Sequence, residues 1–180
     1  MILDIFYPDQ YYNSTYDIDF KKLYDEGARG LIFDIDNTLV PHGAHADRRA
    51  EELFSRLNGL GFRCMLLSNN RERRVSSFAL EVRFTDYIYK ADKPMRSGYM
   101  RAMEKLGTDR GNTVFIGDQL FTDIWGAKRT GIRSILVGQI DKKEEIQIVL
   151  KRLLEKVVLY FYFKSKLKPS PRGEGGTAKP

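Results

Sequence analysis

Short apolar runs alternate along this chain with stretches of helical period. Leu31-Ile32-Phe33 runs straight into Asp34 and reads as a buried strand. From Asp47 to Leu60 the spacing changes to a helix, with Ala50, Leu53, Phe54 and Leu57 on one face and glycines at its end. Cys64 to Leu67 is a second strand, closed by Ser68, and residues 71–80 suit a helix bearing Val75, Phe78 and Ala79. The rhythm repeats: a strand at 87–89, a helix over 95–106, a strand at 114–116, a short helix over 122–130, and a strand at 134–137. Residues 142–163 read as a long last helix. Strand and helix alternating about five times predict an α/β fold with a parallel five-stranded sheet between two helical layers. In such sheets ligands sit beyond the C-terminal strand ends.

The pattern divides the chain. Residues 1–29 lack a strong period, apart from a short helix starting near Asp17 or Asp19 and ending at Gly27, and are expected to pack on the core. Residues 30–140 form the core, 141–167 a basic amphipathic helix, and 168–180 a tail rich in Pro and Gly with the composition of a disordered segment.

Charge sharpens this division. Residues 1–150 carry 22 basic and 22 acidic residues, so the net +6 belongs to the last thirty positions. A basic C-terminus suits a phosphate-rich surface, nucleic acid or anionic lipid. The apolar run Val157 to Phe163, followed by Lys164, Lys166 and Lys168, suits a membrane surface, a partner groove or docking on the sheet. It is far below the ~20 residues of a spanning helix, and the N-terminus has no secretory pattern. The expectation is a cytoplasmic protein with peripheral contact to the inner membrane face through 157–168. One cysteine, Cys64, excludes an internal disulfide and a Cys-rich zinc site and reads as an inert core residue.

The polar residues at the strand ends carry the chemistry. Asp34-Ile35-Asp36-Asn37-Thr38 follows the first predicted core strand, Ser68-Asn69 the second, and Gly117-Asp118 the fourth. Lys93-Pro94 opens a helix, and Asp123 lies near the start of another, where capping is an equally simple role. A carboxylate can attack phosphorus, provided that cations offset the repulsion of a phosphate dianion. His42 and His45 lie in a Pro/Gly loop and read as solvated. Arg71, Arg73 and Arg74 fit a solvated helix face or an anion site equally well. Receiver domains also combine Asp, Ser/Thr and Lys on a doubly wound sheet. Their reactive Asp ends the third strand, whereas the paired carboxylates here follow the first.

Taken in order, these motifs resemble the haloacid dehalogenase (HAD)-like phosphohydrolases over residues 28–138. The stretches Phe33 to Val40, Ser68-Asn69-Asn70 with Arg73-Arg74-Val75, Tyr89 to Pro94 and Ile116 to Leu120 look like the YqeG family, of subfamily IIIA, which is similar to mitochondrial phosphatidylglycerophosphate phosphatases. The resemblance implies a Rossmann-like αβα sandwich and a Mg²⁺-dependent phosphomonoesterase working through an aspartyl-phosphate. It implies Asp34 as nucleophile and Asp36 as general acid and base, the latter among negative neighbours that raise its pKa. It further implies Lys93 as charge neutraliser and Ser68 and Asn69 as phosphate binders. Asp34, the Asp36 backbone carbonyl and Asp118 would hold the metal, with Thr38 and Asp123 in support. Only 29 residues separate Thr38 from Ser68 and 24 separate Ser68 from Lys93, which leaves no room for a cap domain. An uncapped site suits a large or lipid-borne substrate, phosphatidylglycerophosphate first among them. Protein, nucleotide or RNA phosphates, or an assembly or binding module with incidental turnover, are the other readings.

Overall fold

The computed structural model describes residues 2–141 and 155–164. Six parallel strands form one sheet: β1 (Gln10–Tyr12), β2 (Gly30–Phe33), β3 (Arg63–Leu67), β4 (Thr85–Ile88), β5 (Thr113–Gly117) and β6 (Arg133–Val137). Their order across the sheet is β1-β6-β5-β2-β3-β4. The helices are α1 (Phe20–Asp25), α2 (Arg48–Gly59), α3 (Glu72–Val82), α4 (Arg96–Leu106), α5 (Trp125–Thr130) and α6 (155–164). Five strands fall where the apolar runs predict them. The sixth, β1, comes from the N-terminal segment and pairs Gln10 to Tyr12 with Ile135 to Val137 at the sheet edge. It has three residues, alternates between half-buried and exposed, and so leaves no apolar run to read.

Alternation along the strands builds the two faces. Leu31, Phe33, Leu66 and Ile116 join Phe54 of α2 and Phe78 of α3 in one cluster. Ile32, Met65, Leu67 and Phe115 join Tyr99 of α4 and Ala127 of α5 in the other. Cys64 lies in the first, where burial pushes its thiol up to about 12. The caps match local chemistry: the Asp47 side chain accepts from Ala50 N–H at the start of α2, and Asp19 from Lys22 N–H at the start of α1.

The long last helix lies outside the described residues over 142–154, and the 168–180 tail lies wholly outside them. The described part, α6, docks on the core. Val158 packs with Leu120, Ile124 and Leu136, and the Tyr162 ring meets Tyr7 at 5.3 Å. Val157, Tyr160, Phe161 and Phe163 remain exposed.

The sheet register aligns the strand ends. Phe33 pairs with Leu66 on one side and Ile116 on the other, so Asp34, Ser68 and Asp118 emerge along one edge. The chain order reverses at β2, opening the crevice between β2 and β5 where parallel sheets bind ligands. No cap intervenes: a loop, α2 and β3 fill the chain between Thr38 and Ser68, and α3 and β4 lie between Ser68 and Lys93.

Candidate active site

Asp34 continues β2 by one residue, its N–H donating to Ile116 O at 3.0 Å. The chain then turns sharply. Asn37 takes φ 62°, its N–H reaches Val40 O, and Thr38 and Leu39 N–H both reach Ile35 O. The turn separates the two carboxylates of the motif. Asp34 faces the crevice between β2 and β5, and Asp36 faces α3. The Thr38 hydroxyl lies 3.3 Å from Asp118 Oδ1, and the Thr15 hydroxyl holds Thr38 O at 2.6 Å. Thr38 therefore links the turn to the end of β5.

Lys93 reaches Asp34 Oδ1 at 2.6 Å and Asp123 Oδ1 at 2.7 Å, and all three groups are buried. Its backbone is fixed by Asn69, whose Oδ1 accepts from Lys93 N–H at 2.7 Å while its Nδ2 donates to Lys93 O at 3.0 Å. That reciprocal pair ties the end of β3 to the loop before α4. Ser68 is buried beside it, its hydroxyl oxygen accepting from Asn70 N–H. Asp123 sits in one π-helical turn (Leu120–Ile124) ahead of α5, and its Oδ2 accepts from Gln119 N–H. Such turns recur at functional sites because they re-aim one side chain without ending the helix. Gly117 makes room for it, since a Cβ there would come within 2.5 Å of Asp123 Oδ2.

The charge balance of this pocket is negative. Carboxylate oxygens of Asp34, Asp118 and Asp123 lie within 4.8 Å of one another, and Lys93 is the ammonium placed between two of them. Burial pushes the Asp34 carboxyl up to about 7, with Lys93 pulling against it and Asp123 and Asp36 adding to the rise. The Lys93 ammonium is held charged well above its usual range by Asp123 and Asp34, despite a burial that works the other way. An all-oxygen, carboxylate-rich donor set with surplus negative charge fits a hard divalent cation.

Asp36 departs from expectation. Its carboxylate is held by donors: Gly43 N–H at 2.8 Å, Asn70 Nδ2 at 2.8 Å and the Arg74 guanidinium at 3.0 Å. Of the three arginines flagged in the sequence, Arg71 and Arg73 are exposed and Arg74 turns inward. The tie from Asn70 and the tie from Asn69 were missed by sequence reasoning, although both residues directly follow Ser68. His45 pairs with Glu81 at 2.7 Å, and Glu81 also accepts from Ala46 N–H, which pins the loop carrying Gly43. The structure thus brings Asp34, Thr38, Ser68, Asn69, Lys93, Asp118 and Asp123 to one strand edge, with the Asp36 side chain turned toward α3.

The chain is similar to known proteins. A family model described as HAD-hydrolase-like matches residues 91–152. "Probable phosphatase YqeG" of Bacillus subtilis (strain 168) is 34% identical over 160 residues, covering 88% of this chain and 92% of that protein. "Phosphatidylglycerophosphate phosphatase 1, chloroplastic/mitochondrial" of Arabidopsis thaliana is 26% identical over 84% of this chain and 47% of that protein. The chain therefore spans about half the length of the plant protein. The crystal structure of an uncharacterized protein from Listeria monocytogenes serotype 4b shares the fold, with a TM-score of 0.50 and 17% identity over 73% of this chain and 99% of that one. On the extent of its match to the Bacillus protein, the chain belongs to the YqeG family of HAD-like phosphatases.

Proposed function

We propose that this protein is a Mg²⁺-dependent phosphomonoester hydrolase that works through an aspartyl-phosphate on Asp34, with phosphatidylglycerophosphate as its substrate. The observation that carries the reading is the buried Lys93 bridge between Asp34 and Asp123, with Asp118 alongside. It supports reading Asp34 as the nucleophile and Lys93 as a fixed cation beside a carboxylate cluster.

The Asp34 carboxylate attacks phosphorus, and the bond from phosphorus to the leaving oxygen breaks. Asp36, whose side chain must turn from Gly43, Asn70 and Arg74 toward the crevice, gives its proton to that oxygen, releasing an alcohol. Water then attacks the aspartyl-phosphate, Asp36 takes the proton, and phosphate leaves Asp34 as a free carboxylate. The Ser68 hydroxyl and the Asn69 N–H bind the phosphoryl oxygens. Lys93 offsets their charge and orients Asp34. The carboxylates of Asp34 and Asp118 and the Asp36 backbone carbonyl would hold Mg²⁺, which would supply further charge neutralisation.

Three features support a lipid-borne substrate. No cap domain covers the site among the described residues, the plant relative carries that activity in its name, and α6 exposes Val157, Tyr160, Phe161 and Phe163 beside Lys156 and Lys164. A membrane surface would take these aromatic residues while the lysines meet anionic headgroups.

The test is phosphate release from phosphatidylglycerophosphate in mixed micelles. Release with Mg²⁺ that disappears with chelator and in Asp34→Asn establishes both chemistry and substrate. Hydrolysis of p-nitrophenyl phosphate but not of the lipid would keep the chemistry and reject the substrate. Phosphoproteins and nucleotides would then be assayed next.

A further inference from the structure

Asp36 is held by three donors of unequal freedom. The Gly43 N–H belongs to a loop pinned by Glu81, and Asn70 is short. Arg74 is the long one. It extends from the first turns of α3, its guanidinium 5.4 Å from the Phe78 ring, with its side chain 18% exposed at the rim of the site. Its Nε is buried and meets no acceptor among the described residues, so the guanidinium has donors to spare. Lys93, by contrast, is spent between Asp34 and Asp123. Arg74 is therefore a cation paired with Asp36 through one amino group, with further N–H groups that this pair does not use.

In the mechanism above, Asp36 gives its proton to the leaving oxygen. Atoms a few bonds beyond that oxygen come near the groups that hold Asp36, and Arg74 is the cation among them. Arg71 and Arg73, close to it in the chain, are exposed. A guanidinium presents a planar fork that matches a carboxylate or phosphate edge. We infer that Arg74 recognises a second anionic group in the alcohol portion of the substrate, so that the site selects phosphomonoesters of anionic alcohols over those of neutral ones. The inference rests on the phosphatase reading and assigns its leaving-group specificity.

Two ligands of one carbon skeleton isolate this effect. D-3-phosphoglycerate carries a carboxylate where sn-glycerol 1-phosphate, which has the same configuration at its central carbon, carries a hydroxymethyl group. Their competition constants against p-nitrophenyl phosphate hydrolysis, with Mg²⁺ and the full chain, give a ratio independent of their own turnover. In the wild type the carboxylate ligand is expected to bind at least about tenfold more tightly. Arg74→Gln should bring the ratio near one, and Arg74→Lys should restore part of it. Should Arg74→Gln hydrolyse too slowly to assay, calorimetry in an Asp34→Asn background, with and without Arg74→Gln, reads the same ratio. A wild-type ratio near one overturns the inference and leaves the phosphatase reading standing. So does an Arg74→Gln variant that weakens both ligands equally, the result expected if Arg74 only buttresses Asp36. No hydrolysis of p-nitrophenyl phosphate by the wild type overturns the phosphatase reading and this inference with it.

Discussion

Asn69 acts on the site through its neighbour. Its amide closes two hydrogen bonds on the backbone of Lys93, and that backbone aims the ammonium at Asp34 and Asp123. Asn69→Ala removes both bonds and is expected to cost about 1–3 kcal/mol of stability. It should lower kcat more than it raises KM, because Lys93 is misaimed while Ser68 still binds phosphate. Thermal unfolding and steady-state kinetics check the two parts. Asp34 yields a different residue-scale outcome. In protein stripped of divalent ions, burial holds its carboxyl near 7, above the ordinary 3.8. Between those values the folded state keeps a proton that the unfolded state has lost. The contribution is therefore present at the acid end of the window and is lost as pH rises through 7. The melting temperature of chelated wild type should fall, relative to Asp34→Asn, between about pH 4 and 7. Restoring Mg²⁺ should flatten the difference, and parallel pH profiles for the two chelated proteins would refute the account.

The elements show why the strand ends, more than any single helix, hold the site. β5 ends in Gly117 against the π-helical turn that carries Asp123, and the space between them is smaller than a methyl group. Gly117→Ala should push Asp123 off Lys93 and cut kcat at least about tenfold, while the buried sheet keeps most of its stability. Circular dichroism and kcat measured together test this, and a fully active variant would show that Asp123 need not hold Lys93. Four of the five predicted strands were legible because buried parallel strands are continuous apolar runs, as Leu31-Ile32-Phe33 and Val114-Phe115-Ile116 are; β4, at the other edge of the sheet, showed only through Tyr87-Ile88. The edge strand β1 was not legible, because half its surface faces water and only Gln10-Tyr11-Tyr12 pair. The same limit applies in the site. Asp34, Ser68, Lys93 and Asp118 announce themselves by following strands or opening a helix. The inward turn of Arg74 depends on which side of α3 faces the Asp36 loop, and Arg71, Arg73 and Arg74 look alike until that packing is known.

At the scale of the whole molecule, α6 touches the turn that carries Asp123 and also exposes an aromatic surface. The buried Glu155 accepts from Leu120 N–H at 3.1 Å, at the first residue of the turn holding Asp123, while Tyr160 is 61% exposed. Tyr11 extends the surface, its ring 5.5 Å from that of Phe163. A bilayer meeting this face would lie on the same helix whose Glu155 holds the turn that carries Asp123. Replacing Tyr160 and Phe161 by Ser removes apolar contact from that face and leaves Glu155, Val158 and Tyr162 in place. The double variant should hydrolyse p-nitrophenyl phosphate at the wild-type rate and bind anionic phosphatidylglycerol vesicles at least about tenfold more weakly. Wild-type binding should also weaken with salt, because the lysines act through a screened charge attraction. Co-sedimentation at two ionic strengths reads both effects. Equal vesicle binding by the double variant and the wild type would refute membrane contact through this face, and a partner protein would be the next occupant to test.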